Sequence, residues 1–144
     1  MSERDDRIDL LPHGPAARMI ERVRAHWPGR IETEMSWSRR DAAIAAHFPV
    51  GPTVVPGVFL AEQVAQSALL LAVLDGLASA RDLFVLGHLR CDFVRPALAP
   101  CIVLARVMLT AQVRGSVGFH GECLSGGEIV ARIKGVATPA PVAS

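Results

Sequence analysis

One stretch of the chain is apolar on nearly every side, yet it carries a carboxylate. It runs from Val58 to Leu74 and contains Glu62, which has no Lys or Arg three or four residues away. A helix that is apolar all round is typical of a buried element. A carboxylate in such a helix is costly unless a partner or a function offsets the cost. The stretch therefore predicts a buried central helix in which Glu62 is kept for chemistry.

The segments around this helix alternate between apolar and polar residues, as strands do. The expected strands cover residues 18–23, 31–37, 84–94 (one strand or a pair of short strands), 101–113, 117–123 and 129–135. A connection with one or two helical turns is expected between the second strand and the central helix. A single helix that is hidden on all sides requires a sheet wrapped around it. The chain is therefore expected to adopt an α+β fold with a curved antiparallel sheet.

The length of 144 residues suits a single domain, which can bury about two thirds of its unfolded surface. We expect that domain to cover residues 11–138. Residues 1–10 are charged and are expected to be a flexible N-terminus, and residues 139–144 are expected to be a frayed C-terminal tail.

Charge and cysteine content exclude several classes of protein. The chain has 15 basic and 14 acidic residues, so nucleic-acid binding is not expected. Three widely spaced cysteines form no C-x-x-C pair, so neither a metal site nor a disulfide framework is expected. No apolar signal-peptide region follows Met1, and the polar residues of the central helix argue against a membrane span. These features predict a soluble cytoplasmic protein without membrane association.

A second group of residues leads into the N-terminus of the helix. His47 opens a loop rich in proline and glycine, and Pro56 and Gly57 follow at the helix start. Proline suits the first helical position because its missing N–H costs nothing there. The free N–H groups of Gly57 and Val58 could hold an oxyanion, although an ordinary helix start is the alternative.

Gln66 lies one turn after Glu62 on the same face of the helix. It could orient a substrate or a water molecule, or it could satisfy a buried backbone group. The other histidines, His13, His26, His88 and His120, lack motif support and are expected to be structural.

Three segments carry a resemblance to a known family. They are Leu11-Pro12-His13 with Ile20-Glu21-Arg22-Val23; His47-Phe48-Pro49 with Val55-Pro56-Gly57-Val58, Glu62 and Ala65-Gln66; and Phe93-Val94-Arg95-Pro96. With these segments the chain resembles the 3-hydroxyacyl-acyl-carrier-protein dehydratases of the hot-dog fold, from about Leu11 to Thr138. The second segment is highly specific, and the other two support it.

The resemblance implies a lyase that dehydrates a (3R)-3-hydroxyacyl thioester to the trans-2-enoyl thioester. It implies His47 as the base and Glu62 as the acid, with Gly57, Val58 and Gln66 at the oxyanion and substrate. An acyl carrier protein would deliver the substrate on a phosphopantetheine arm. Two subunits would join their sheets into a homodimer, or a dimer of dimers, so that His47 of one faces Glu62 of the other. No cofactor and no metal are expected.

One departure bears on the pathway. His47, Gly51 and Pro56 are spaced as H-x-x-x-G-x-x-x-x-P, one residue longer than in the bacterial fatty-acid enzymes. That spacing resembles the dehydratase domains of polyketide synthases, and Glu62 with Gln66 resembles their D-x-x-x-Q motif with Glu for Asp. Both fatty-acid and polyketide or polyene biosynthesis fit the chain, and the spacing favours the second.

Two other functions remain open at this point. An acyl thioesterase of the same fold also needs a helix carboxylate, which activates water, but it does not need the His-Phe-Pro loop. A non-catalytic subunit that binds an acyl chain or acts as a scaffold would need neither His47 nor Glu62. The presence of both residues favours the dehydratase.

Overall fold

The computed structural model describes residues 5–80 and 82–140. The helices are α1 (Ala42–His47) and α2 (Gly57–Leu74), and 3-10 turns lie at Asp6–Leu10 and Pro15–Ala17. The strands are β1 (Arg22–Trp27), β2 (Arg30–Trp37), β3 (Phe84–Phe93), β4 (Cys101–Val113), β5 (Ser116–Ser125) and β6 (Glu128–Pro139). The predicted central helix is confirmed, and β4 has the predicted bounds.

The strands form one antiparallel sheet in the order β1-β2-β4-β5-β6-β3. Tight turns join β4, β5 and β6, while β3 pairs with β6 and forms one edge of the sheet. Helix α2 packs against five of the six strands. The predicted α+β fold, in which a curved antiparallel sheet wraps one long helix, is confirmed.

The face of β4 that meets the helix follows the predicted alternation only in part. Val103, Ala105 and Val107 are completely buried. The pairing of β4 with β5 then shifts between Leu109 and Ala111. Beyond that irregularity the strand leaves the core, so Ala111 and Val113, which continue the alternation expected along residues 101–113, are exposed.

Glycine at position 121 lets the helix approach the sheet closely. A Cβ atom at Gly121 would lie 2.8 Å from Cγ1 of Val64 on α2 and 3.0 Å from Cγ2 of Val107 on β4. Real Cβ atoms do not come this close to other heavy atoms, so a larger residue would push α2 away from β5.

Three buried polar side chains tie α2 to the sheet. The hydroxyls of Thr33 on β2 and Ser67 on α2 lie 2.8 Å apart. Nε2 of Gln63 donates to the carbonyl oxygen of Val103 at 3.1 Å, and Oγ of Ser67 donates to the carbonyl oxygen of Gln63 at 2.6 Å. Buried polar groups need such partners, because an unpaired one is expensive.

The expectation that α2 is too polar to cross a membrane is wrong on composition alone. By length and apolar content alone, α2 could cross a membrane. Its polar residues are few, and 61% of it is buried inside the protein. Long apolar helices of this kind also form the cores of globular domains, and α2 occupies that place here.

Residues 18–23 do not form the predicted strand, because β1 begins only at Arg22. The preceding backbone bonds instead to the side chain of Gln66, which accepts from the N–H of Met19 and donates to the carbonyl of Ala17. These contacts replace the partners that a neighbouring strand would supply.

The predicted flexible N-terminus differs from the structure of residues 5–10. Ile8 of the first 3-10 turn is buried, and the carboxylate of Asp5 accepts from the N–H of Val23 at 2.9 Å. At the other end, the N–H of Ala140 donates to the carbonyl of Leu83. Residues 1–4 and 141–144 lie outside the described residues.

Candidate active site

Two pockets lie along α2. The Glu62 pocket has a volume of about 270 Å³ and is lined by His13, Glu62, Ala65, Gln66, Leu69, Phe84, Val85, Leu86 and Ala137. The His47 pocket, of about 550 Å³, lies at the helix start and is lined by His47, Phe48, Val54, Val55, Pro56, Gly57, Val58, Leu60, Phe93, Val94, Arg95, Pro96 and Ala97. All five predicted site residues line one of these two pockets.

Glu62 is half-buried and hydrogen-bonded, which corrects the expectation of a buried carboxylate without a partner. Its side chain is 36% exposed. Nε2 of Gln66 donates to Oε1 of Glu62 at 2.9 Å. Nε2 of His13 lies 3.5 Å from the same oxygen. Because both neighbours approach Oε1, the other carboxylate oxygen is left for a ligand.

Gln66 is buried, and its amide is used by the protein. Its Oε1 accepts from the N–H of Met19 at 2.8 Å, and its Nε2 donates to the carbonyl of Ala17 at 2.9 Å as well as to Glu62. The two backbone partners fix which end of the amide is the donor. With both N–H groups engaged, these contacts favour a role in holding Glu62 over direct contact with a substrate.

His47 lies at the exposed end of α1. Ile44 is the buried residue of this short helix and anchors it to the core. Residues 45–52 are all exposed. The His47 ring contacts the edge of the Phe48 ring, with centroids 4.6 Å apart. The candidate base is therefore presented to solvent at the end of α1, in a stretch of exposed residues.

The start of α2 is fixed by the segment that follows β3. The N–H of Val55 donates to the carbonyl of Ala97, and the N–H of Ala99 donates to the carbonyl of Thr53. Among the described residues no side chain caps this end of the helix. The N–H groups of Gly57 and Val58 are therefore candidate donors to an oxyanion, and both residues line the same pocket as His47.

The side chain of Phe93 explains why glycine stands at position 57. A Cβ atom there would come within 2.7 Å of the Phe93 ring. Glycine therefore lets the ring lie directly against the first turn of α2, where it forms part of the wall of the His47 pocket.

The structure brings some predicted site residues together and keeps others apart. His47, Gly57 and Val58 share the His47 pocket, whereas Glu62 and Gln66 share the Glu62 pocket. Within one chain the candidate base and the candidate acid thus line different pockets, which the shared helix α2 connects.

His13 was expected to be structural, yet it lines the Glu62 pocket. The one sequence signal for it is the Leu11-Pro12-His13 segment of the resemblance. His26 has the structural role that was expected, because its Nε2 lies 2.8 Å from Oδ1 of Asp75 at the end of α2.

The cysteines offer no reactive thiolate. Burial raises the pKa of the Cys123 thiol to about 12, and burial also raises the pKa of Cys91 and Cys101. Thiolates, not thiols, act as nucleophiles and metal ligands. Within the described part of the chain, no group of three or more His, Cys, Asp or Glu side chains is placed to hold a metal ion.

No family model matches the chain. Its sequence is similar to the 3-hydroxyacyl-[acyl-carrier-protein] dehydratase FabZ of Histophilus somni strain 2336, with 28% identity over 129 residues that cover 88% of this chain and 85% of that protein. FabZ of Nitrobacter winogradskyi is 29% identical over 129 residues, covering 86% and 83%. A shorter match of 65 residues to FabZ of Anaeromyxobacter sp. strain Fw109-5 reaches 40% identity and covers 44% and 40%.

Solved structures share the fold. The dehydratase heterocomplex ApeI:P from Xenorhabdus doucetiae aligns with a TM-score of 0.78 and 18% identity, covering 98% of this chain and 93% of that chain. A hypothetical thioesterase with coenzyme A from Streptococcus pneumoniae TIGR4 aligns with a TM-score of 0.65 and 10% identity, covering 85% and 88%. The fold is therefore the hot-dog fold. Together with the sequence matches, this confirms the predicted resemblance to the 3-hydroxyacyl-acyl-carrier-protein dehydratases.

Proposed function

We propose that the protein is a hydro-lyase that dehydrates a (3R)-3-hydroxyacyl thioester on an acyl carrier protein to the trans-2-enoyl thioester. The observation that carries this proposal is the distribution of chemistry along α2. His47 and free N–H groups lie at the helix start, and Glu62 lies in an apolar pocket farther along. The FabZ relatives, which are named as dehydratases of this substrate class, support the same reaction.

The elimination needs a base, an oxyanion site and an acid. His47 removes a proton from C2, next to the thioester carbonyl, since imidazole is a base suited to neutral pH. The N–H groups of Gly57 and Val58 stabilise the negative charge that develops on the thioester oxygen. Glu62 gives its proton to the hydroxyl on C3, which leaves as water.

A second copy of the chain is proposed to bring the two pockets together. The Glu62 pocket is lined by Phe84, Val85 and Leu86 at the start of β3, and the His47 pocket by Phe93 and the residues after it at the end of β3. If two β3 edges pair antiparallel about a two-fold axis, the start of one strand meets the end of the other. Glu62 of one subunit would then face His47 of the partner subunit.

The surface of β3 supports this pairing. Leu89 and Cys91 pair with Gly135 and the buried Ile133 of β6, so they lie on the face of the sheet that meets the helix. Even so, Leu89 is 37% exposed and Phe93 is 55% exposed. An uncovered apolar edge is a liability that a partner removes. We therefore propose a homodimer, and a dimer of dimers is compatible with it.

The acyl chain is proposed to occupy the Glu62 pocket. Of the larger apolar side chains on α2, Leu69 lines this pocket, whereas Leu60 lines the His47 pocket and Val64 and Leu71 are completely buried. Leu69, Phe84 and Ala137 also line a void of about 10 Å³ that extends towards Phe119. Because this void is so small, the acyl chain would end at the inner end of the Glu62 pocket.

An acyl carrier protein is the proposed partner, with the substrate on a phosphopantetheine arm that enters at the His47 pocket. Arg95 lines that pocket and pairs with Glu128. Arg39 is exposed and donates to the carbonyl of Ala99 nearby. Basic side chains at the entrance suit an acidic carrier, and such docking weakens as salt rises. The proposed location is the cytoplasm.

The reaction is tested with one 3-hydroxyacyl group carried on acyl carrier protein, on coenzyme A and on a short thiol. Gain of enoyl absorbance is expected, fastest on the carrier and slowed by salt. Release of free thiol in its place would indicate a thioesterase. Binding without either product would indicate an acyl-binding or scaffold subunit.

The shared site is tested by mixing two inactive chains, His47→Ala and Glu62→Ala. Random exchange should restore about one quarter of wild-type activity, because half of the dimers are hybrids and each hybrid has one intact site. As the matched control, a chain with both substitutions mixed with wild type has no intact site in its hybrids and should lower activity. If the two inactive chains restore nothing after verified exchange, the site does not span two subunits.

A further inference from the structure

His13 is the neighbour of Glu62 to which the proposed reaction assigns no role. Its Nε2 lies 3.5 Å from Oε1 of Glu62, although 49 residues separate the two in the chain. A hydrogen bond would require an approach of about half an ångström, and catalytic contacts commonly tighten when a substrate binds.

The main chain holds His13 in this place. Leu11, two residues earlier, is completely buried. The Nε of Arg18 donates to the carbonyl of His13 at 3.0 Å, and its Nη1 donates to Asp9 at 2.8 Å. The guanidinium therefore clamps the turn that carries His13 and aims the ring at α2.

Among the described residues, the contact with Glu62 is the polar interaction that accounts for the position of the His13 ring. Its Nδ1 is buried and has no hydrogen-bond partner among the described residues. A buried polar atom without a partner is costly, and a packing role would be served as well by an apolar side chain. The position of the ring therefore points to its Nε2 and to the carboxylate beside it.

Two groups converge on one carboxylate oxygen. Nε2 of Gln66 donates to Oε1 of Glu62 at 2.9 Å, and Nε2 of His13 approaches the same atom. An oxygen that accepts two N–H groups is a poor place for the acid proton, because the donors and that proton would repel each other. The proton is then carried by Oε2.

We propose that His13 is a positioning residue that, together with Gln66, occupies Oε1 of Glu62 and so directs the acid proton on Oε2 towards the substrate. This inference rests on the proposed dehydration. In that step His47 takes the C2 proton, the C2–H electrons form the C2–C3 double bond, and the C3–O bond breaks. The leaving oxygen takes the Oε2 proton and departs as water. Glu62 is left as a carboxylate whose Oε1 charge the two donors stabilise, and solvent returns the proton from His47 to Glu62.

The test uses two amides that place a donor at different positions of the ring. In His13→Gln the amide nitrogen can reach the place of Nε2, whereas in His13→Asn it reaches only the place of Nδ1. With the carrier-bound substrate and the intact protein, we expect His13→Asn to lower kcat about 10- to 100-fold with KM changed less than about threefold. We expect His13→Gln to stay within about threefold of wild type.

A second readout does not depend on activity. The ¹⁵N signal of His13 Nε2 should move in Glu62→Gln and should stay in place in Glu21→Gln, an exposed control. Unchanged kcat in His13→Asn would overturn the inference, as would an equal loss in both amide variants that follows a fall in Tm, since that pattern indicates packing alone. A wild-type protein that does not dehydrate the substrate would instead overturn the proposed function, which keeps the two failures distinct.

Discussion

The Glu62 pocket and the His47 pocket share one helix and one strand, but they are held in different ways. Around Glu62, the side chain of Gln66 joins the carboxylate to the backbone of Ala17 and Met19 in a closed set of hydrogen bonds. Around His47 the chain is open, with residues 45–52 exposed and Val50 at 90% exposure. The hydrogen bonds around Glu62 are thus completed within a single chain, whereas the surroundings of His47 are left open to solvent.

The difference fits the demands of the two halves. An acid must present its proton in one direction, so a fixed carboxylate is useful before any partner arrives. The proposed base lines a pocket with exposed apolar side chains, including Phe48, Val58 and Phe93, which are 51%, 67% and 55% exposed. Such a patch is typical of a surface that another protein covers. We therefore expect the residues around His47 to become more ordered when another protein covers them.

The largest effects should come from the two ionisable residues themselves. His47→Ala and Glu62→Gln should each lower kcat by about 10²–10⁴-fold, the usual contribution of a general base or acid. Circular dichroism and Tm should remain near those of wild type, because Glu62 is half-buried and His47 is exposed at the end of α1. Near wild-type dehydration by either variant would contradict the division of roles. His120→Ala, on strand β5 and outside both pockets, serves as the control and should stay fully active.

The next effect concerns assembly. Leu89→Asp places a charge on the uncovered apolar face of β3 and should weaken the dimer by about 2–4 kcal/mol, as expected for a charge left in an interface core. Analytical ultracentrifugation should show monomer, and activity should fall with the dimer fraction. Val136→Asp, next to Leu89 in the ladder but on the opposite face of the sheet, is the matched control. A dimer in both variants would place the interface elsewhere.

A smaller effect is expected on substrate choice. Phe84 lines both the Glu62 pocket and the void beside Phe119, so Phe84→Ala should join the two spaces. One added methylene in an apolar pocket is worth about 1–3 kcal/mol, so kcat/KM should shift roughly tenfold towards longer acyl chains. Val85→Ala widens the same pocket without reaching the void and should leave the chain-length preference in place. An unchanged preference in Phe84→Ala would mean that the chain lies elsewhere.

The smallest effect should come from the anchor of the N-terminal segment. Burial alone would raise the pKa of Asp5, but hydrogen bonds from the side chain of Arg7 and the N–H of Val23 lower it below its ordinary value. Its contribution to the free energy of unfolding is therefore full above the unfolded-state pKa and is lost as pH falls through the folded-state pKa. Asp5→Asn should destabilise the protein by about 1–2 kcal/mol at neutral pH.

Urea unfolding at several pH values checks this sign. The difference between Asp5→Asn and wild type should begin to shrink as the pH falls below the ordinary carboxyl pKa of about 4 and should be lost once the pH passes the lower folded-state pKa. Asp6→Asn is the neighbouring control, since Asp6 is exposed and should change stability little. A difference that stays constant with pH would mean that the charge of Asp5 does not matter.

Much of the fold could be predicted because local patterns coincide with the tertiary arrangement. The apolar run of α2 and the alternation along the first half of β4 each coincide with burial, and both elements have nearly the predicted bounds. The irregularity between Leu109 and Ala111 could not be predicted, because it depends on how β5 pairs beside it. Likewise, the start of β1 could not be predicted, because the backbone before it bonds to Gln66, which is distant in the sequence.

The candidate site divides in the same way. His47, Gly57 and Glu62 lie close together in the sequence, so one short segment and its resemblance are enough to predict them as candidates. The contact of His13 with Glu62 joins two segments far apart in the chain, and no periodicity records it. Two of the three partners of Gln66 are backbone atoms, which nearly any residue could supply. Contacts of these two kinds become visible only when the chain is folded.

The buried polar residues of α2 have a consequence for how the helix is seated. A helix that is apolar all round can rotate about its own axis with little change in the area that it buries, so burial alone defines its rotation poorly. Gln63 and Ser67 remove that freedom, because their bonds to Val103 and Thr33 form at one angle only. They therefore fix the rotation of α2 about its axis. The direction in which Glu62 points is thereby set by contacts on another side of the same helix.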